Sequence, residues 1–211
     1  MPYHLALLGD SVFDNGAYVP AGTAVRDQLQ RILGGDWKVS LFAVDGSTTA
    51  DFVPQLAKVP GDATHLVISI GGNDAILNAD LLGLPVSSTA EALALFGERA
   101  ARFEANYRIG ISAALALGLP TTVCTVYNGN LSPQEAPLAR TALTLFNDAI
   151  LRVAFEHGLS VLDLRLICAE SSDYANPIEP SVAGGQKIAK AIVRLLAGSG
   201  DGPANARVMA R

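Results

Sequence analysis

Three short polar stretches and one loop hold residue types that acyl transfer requires. Gly9-Asp10-Ser11 closes the apolar run Leu5 to Leu8, and Gly46 stands in Asp45-Gly46-Ser47-Thr48-Thr49. Gly71-Gly72-Asn73-Asp74 follows the run His65 to Ile70, and the loop Asn176 to Ser181 precedes the last amphipathic segment. Acyl transfer needs a nucleophile, a base, and donors aimed at the oxyanion that forms on the substrate carbonyl. Ser11 supplies a hydroxyl. The backbone N–H groups of Ser11 and Gly46 and the side-chain amide of Asn73 are suitable donors, and Gly46 has no side chain to obstruct an approach. Each residue also has a plainer use: serine as a helix N-cap, glycine in a turn, asparagine as a loop amide bonded to backbone. Their shared location is what favours the chemical reading.

That location follows from the elements around them. Leu5 to Leu8 has no polar face, as a central parallel strand covered on both sides requires. Further strands are expected at Trp37 to Val44, His65 to Ile70, Thr121 to Tyr127 and Leu159 to Leu164. Helical spacing predicts helices over about Thr23 to Leu33, Ala90 to Leu117, Leu138 to Val153, and from a cap at Ser181 to about Leu196. Ser47 or Thr48 is expected to cap a short helix towards Leu56, and Asn78 to Thr89 reads as an irregular apolar loop able to border a pocket. Strand alternates with helix five times, which predicts an α/β fold with a parallel sheet, helices on both faces and right-handed crossovers. In such a sheet the points after the first, second, third and fifth strands share one edge, the edge where ligands bind.

The chain has 211 residues, half of them hydrophobic and 17% charged, which fits one globular domain over residues 1–197 followed by a polar tail, 198–211. A formal charge of -5 offers no basic stripe, so no nucleic-acid partner is expected. No apolar run reaches the length of a membrane span. Cys124 and Cys168 read as reduced core thiols rather than a disulfide framework. With the first strand beginning by about residue 3, no room remains for a secretory signal, and a cytoplasmic protein is the expectation. No His or Cys cluster has metal-ligand spacing, and neither a metal nor another cofactor is expected. Asp10, Asp14 and Asp74 leave a hard-cation site as the only weak alternative.

The blocks Gly9-Asp10-Ser11, Gly46 and Gly71-Gly72-Asn73-Asp74, in this order and spacing, resemble the first three blocks of the SGNH hydrolases, the GDSL-type esterases and lipases. The resemblance covers about residues 3 to 196. It implies a flavodoxin-like three-layer α/β/α sandwich with a five-stranded parallel sheet of order 2-1-3-4-5. It also implies Ser11 as nucleophile and an oxyanion hole of Ser11, Gly46 and Asn73.

The fourth block departs from the family pattern. Where the family carries D-x-x-H before the last helix, this chain reads Asn176-Pro177-Ile178-Glu179, followed by Pro180-Ser181. The register puts Asn176 at the aspartate position and Glu179 at the histidine position. Of the three histidines, His4 and His65 start strands on the opposite edge and His157 ends a helix on the far side, so each reads as structural. Glu179 is either the base, with Asn176 orienting it through an amide N–H, or a helix-entry carboxylate set against the dipole of the last helix. A carboxylate accepts protons at pH 7, but its ordinary pKa lies about two units below that of histidine, which removes roughly 3 kcal/mol of driving force. Asp10 and Asp74 read as supporting residues that hold their loops, with Asp74 the next carboxylate to consider as base. Two functions stay open. One is a serine esterase acting on small or medium acyl esters, acetyl esters included. The other is a non-catalytic binding protein holding an anion in the oxyanion hole. The expected partner is a small-molecule ester, and the residues indicate no oligomeric state.

Overall fold

The computed structural model describes residues 3–198. Five strands, β1 (Tyr3–Gly9), β2 (Trp37–Leu41), β3 (His65–Ser69), β4 (Thr121–Cys124) and β5 (Ser160–Leu162), form one sheet. All neighbours pair in parallel, in the order β2-β1-β3-β4-β5. Among the described residues seven α-helices connect or flank them: α1 (Val25–Leu33), α2 (Phe52–Leu56), α3 (Gly72–Leu77), α4 (Thr89–Leu115), α5 (Ala136–Glu156), α6 (Leu164–Ile167) and α7 (Val182–Leu196). This is the three-layer α/β/α sandwich and strand order that the resemblance implies. The expected tail lies, from residue 199 onward, outside the described residues.

Alternation along each strand divides the core in two. Leu5, Leu7, Val39, Val67 and Leu162 face α1 and α7. Ala6, Leu8, Leu66, Ile68 and Val123 face α2, α4 and α5. β1 lies between β2 and β3, and its residues from His4 to Gly9 are buried. That accounts for the apolar run on which the sequence reading rests.

At the carboxyl edge the chain leaves the sheet sooner than the apolar runs suggest. β2 stops at Leu41 rather than Val44, because the N–H groups of Phe42 and Ala43 both donate to the Leu7 carbonyl and break the register. β4 stops at Cys124 rather than Tyr127. Beyond it the Asn147 side chain from α5 takes over both backbone groups of Val126, at 2.7 and 2.9 Å. β5 ends at Leu162, after which the Asp163 side chain caps α6. Gly71-Gly72-Asn73-Asp74 opens α3, a helix the sequence reading did not foresee. The segment read as irregular contains a 3-10 turn over Ala79–Gly83. Ser181 caps α7 as expected, accepting from the N–H groups of Ala183 and Gly184. Among the described residues no helix is long and apolar enough to cross a membrane.

Candidate active site

Ser11 sits immediately beyond β1. Gly9 makes the turn at φ 124°, and a Cβ there would run into the Ser69 carbonyl of β3, so only glycine fits. No helix starts at Ser11; residues 11–13 form a turn and α1 begins only at Val25, which removes capping as the use of this serine. The turn is held by its own aspartate: the Asp10 carbonyl accepts from the N–H groups of Phe13 and Asp14, and Asp10 Oδ1 accepts from Val12 N–H at 3.2 Å. Asp10 is 3% exposed. Burial pushes its pKa from 3.8 up to about 7, and the Val12 and Gly72 N–H groups only partly oppose this. The nearby Glu179 charge adds to the rise.

Gly46 follows β2 in a turn at φ 82°, a conformation that favours glycine. The flanking residues are tied down: Asp45 N–H donates to Asp14 Oδ2 at 3.0 Å and Ser47 N–H to the Val44 carbonyl at 3.1 Å. Gln55 of α2 links this loop to the end of β1. Its Oε1 accepts from Gly9 N–H at 2.8 Å, while Nε2 donates to the Gly9 carbonyl at 2.8 Å and to Ser47 Oγ at 3.1 Å. The sequence signal for Gln55 is a polar residue on the buried face of a short apolar helix. Asn73, in the first turn of α3, donates from Nδ2 to the Ser47 carbonyl at 2.9 Å, which leaves its second amide hydrogen free to point elsewhere. The N–H groups of Ser11 and Gly46 donate to no backbone carbonyl of the described residues.

Asp74 is placed differently. Both its carboxylate oxygens are engaged by Thr49, from N–H at 2.9 Å and from Oγ1 at 2.6 Å, and it does not line the cavity beside Ser11. It braces the Gly46 loop, and as a substitute base it is out of reach. Burial raises its pKa against these two bonds. Among the described residues no three His, Cys, Asp or Glu side chains gather as a metal site would require.

Glu179 approaches Ser11 from the loop between the 3-10 turn Ser171–Asp173 and α7. Asn176 Oδ1 accepts the N–H groups of Ile178 and Glu179, each at 2.9 Å. This corrects the expected role of Asn176: it folds the backbone that carries Glu179 and donates no amide N–H to the carboxylate. Tyr127 Oη donates to the Ile178 carbonyl at 2.6 Å, and Asn130 N–H to that of Pro177 at 2.8 Å. The Glu179 side chain is 4% exposed, and its Oε2 is buried with no hydrogen-bond partner. Burial raises its pKa, with the Asp45 charge adding to the rise and the adjacent Ser11 hydroxyl opposing it. The two groups are thus neighbours whose contact is not closed into a full hydrogen bond.

Ser11, Asn73, Asp10 and Glu179 all border one cavity of about 320 Å³. Its remaining wall is largely apolar and comes from α3, the following turn, α4, the segment 126–131 after β4, and α5. Gly46 is outside this lining. No histidine borders the cavity. His4 lies between Asp62 (Nδ1 to Oδ1, 3.0 Å) and Ser40 (Nε2 to Oγ, 2.8 Å) at the opposite edge, a triad-like order with no access to this cavity. His65 packs against Trp37, and His157 is the C-cap of α5.

A model of the GDSL-like Lipase/Acylhydrolase family matches residues 7–187. Similar solved structures include a lipolytic protein of the G-D-S-L family from Veillonella parvula, with TM-score 0.70 and 14% identity over 93% of this chain and 100% of that one. A phospholipase A1 from Streptomyces albidoflavus has TM-score 0.69 and 17% identity over 94% and 100% of the two chains. An extracellular lipase from Streptomyces rimosus has TM-score 0.67 and 16% identity over 93% and 100%. At these identities the likeness is one of fold. No curated protein sequence matches the chain.

Proposed function

The chain belongs to the GDSL-like lipase/acylhydrolase family, a family of esterase- and lipase-type hydrolases, and on that premise we propose that it is a serine hydrolase of small or medium acyl esters with Glu179 as its base. The observation that carries the reading is the meeting of Ser11 with a buried carboxylate whose Oε2 has no partner, at the polar end of an apolar cavity. Structural carboxylates are normally satisfied. One left unpartnered beside a serine suits a group that takes a proton during a reaction.

In this mechanism Ser11 Oγ attacks the ester carbonyl and its proton passes to Glu179. Negative charge on the carbonyl oxygen is met by the N–H groups of Ser11 and Gly46 and the free amide hydrogen of Asn73. Glu179 then gives its proton to the departing alcohol, leaving an acyl group on Ser11. Water, deprotonated by Glu179, releases the acid and restores the serine. The raised pKa of Glu179 recovers part of the driving force that a carboxylate lacks relative to imidazole.

The anion-binding alternative fits less well. Asp10 and Glu179 are both buried and border the same cavity as Ser11, so a resident anion would lie beside the Glu179 carboxylate, whereas in the reaction Glu179 has taken the serine proton by the time the oxyanion forms. The test is hydrolysis of p-nitrophenyl esters from pH 4 to 9, with Ser11→Ala as control and a fluorophosphonate as covalent probe. Turnover and labelling that both vanish in Ser11→Ala support the reading. A folded native protein that neither hydrolyses any ester nor takes the label overturns it.

A further inference from the structure

Resting on that reading, we infer that the cavity is the acyl site: the enzyme selects a straight acyl chain of medium length on a polar alcohol, and Ala142 of α5 sets the depth. Three observations carry this.

The first is the direction in which each half of the ester must leave Ser11. The alcohol oxygen collects its proton from Glu179, so the alcohol side lies where Glu179 faces. Glu179 borders the cavity beside Asp10 and Tyr127, and its remaining electrostatic neighbours are Asp45 and Tyr18. Tyr18 Oη donates to Asp45 Oδ2 at 2.6 Å, and both residues lie outside the cavity lining. The rim on that side is polar and acidic, which suits a hydroxyl-bearing alcohol and repels an anionic one. The acyl half is left with the cavity.

The second is the wall itself. Ile76, Leu81, Phe96, Leu143 and Phe146 line it, from α3, the turn after it, α4 and α5. Asn78, Asn128 and Glu135 also border it, but apolar side chains make up most of the wall and cover methylenes. At about 320 Å³, and roughly 30 Å³ per water-sized group, the space holds a chain of about ten carbons. An acetyl group would leave most of it unfilled.

The third is the run of small residues on α5. Ala139 and Ala142 stand on the cavity wall between larger neighbours, Leu138 and Leu143. Both are half-buried, so a larger side chain at either fits the helix and projects into the space an acyl chain would use.

The experiment measures kcat/KM for p-nitrophenyl acetate, butyrate, hexanoate, octanoate and decanoate, in the native chain and in Ala142→Phe, with Ser11→Ala as blank. Each methylene that enters the cavity should raise kcat/KM by up to about fourfold, with a total gain of about a hundredfold or more from acetate to octanoate. In Ala142→Phe the octanoate-to-acetate ratio should fall about tenfold or more. Ser11-dependent turnover in which acetate equals or exceeds octanoate overturns the acyl assignment and leaves the hydrolase reading intact. An unchanged ratio in a folded Ala142→Phe overturns the role of Ala142. If that variant does not fold, the chain-length series in the native protein still decides the assignment. Loss of all Ser11-dependent turnover and labelling would instead overturn the hydrolase reading, and this inference with it.

Discussion

Asn15 Nδ2 donates a hydrogen bond of 3.2 Å to the carbonyl of Pro180, joining the turn after Ser11 to the Glu179 loop across 165 positions of sequence. On its other side Asn15 Oδ1 accepts the N–H of Val25 at 3.0 Å, at the start of α1. The side chain is fully buried. One amide therefore fixes three segments: the residues after Ser11, the first turn of α1, and the residue after Glu179. The separation of nucleophile and base in the proposed mechanism depends on this cross-link.

Asn15→Ala strands a buried N–H and a buried carbonyl, and should destabilise the fold by about 2–4 kcal/mol. It should also lower kcat/KM by about tenfold or more at a temperature where the variant is still folded, because the Ser11–Glu179 geometry loosens. Thermal unfolding and ester kinetics check the two effects separately. A variant of native stability and native activity would show that the loops hold their spacing without it.

Asn176 is expected to tolerate aspartate better than alanine. Its Oδ1 accepts two backbone N–H groups, and an aspartate oxygen offers the same acceptor. Asn176→Ala releases both, with a stability loss of about 1–2 kcal/mol and a matching fall in kcat/KM. Asn176→Asp keeps the turn and adds a negative charge near Glu179, so the acid limb of kcat/KM should move to higher pH. Equal pH profiles for the native and aspartate forms would separate residue 176 from the titration of Glu179.

The sheet and its edge were legible because the central strands β1 and β3 are nearly pure apolar runs, and Gly9 and Gly71 mark where they end. The helix over Gly72–Leu77 was not, since its first turn is Gly-Asn-Asp, a composition that reads as a turn until Asp74 is seen bound to Thr49. Ser11, Asn73 and Glu179 could be assigned to one edge from topology alone. Gln55, Asn15 and Tyr127 could not: each acts through a contact distant in sequence, and nothing local to an asparagine, glutamine or tyrosine announces its partner. The same limit explains Asn176, whose position was readable but whose use of oxygen rather than N–H was not.

Asp10 should make stability depend on pH. Its folded pKa of about 7 lies above the ordinary 3.8, so the folded state holds a proton that the unfolded chain has already released. The contribution is present in full below about pH 4 and is lost as pH rises to 7, by about 4 kcal/mol if Asp10 acts alone. Glu179 and Asp74 are shifted in the same direction and add to the trend. Unfolding midpoints measured from pH 4 to 8 should therefore fall in the native chain and flatten in Asp10→Asn. A profile as steep in Asp10→Asn as in the native chain would show that Asp10 is ionised throughout.

The base is the step on which the chemistry turns. If Glu179 accepts the Ser11 proton, kcat/KM should fall as pH drops through the Glu179 pKa, since the protonated acid cannot accept. Burial raises that pKa, so the acid limb should lie above the ordinary glutamate value of 4.5. Glu179→Gln keeps the shape and removes the basicity, and should lower kcat/KM by a factor of about 10²–10⁴. Labelling by a highly reactive fluorophosphonate should partly survive, because the donors at Gly46 and Asn73 remain. Glu179→His alone should restore little, as Asn176 has its oxygen committed to the backbone and cannot stabilise an imidazolium. Asn176→Asp together with Glu179→His supplies an acid and an imidazole at the family's two positions and should match or exceed the native rate, with its acid limb moved to the histidine range near pH 6.5. If Glu179→Gln leaves kcat/KM unchanged, the base is another group. Asp10, the second buried carboxyl on the cavity wall, is then the residue to replace, since Asp74 is held by Thr49 away from it.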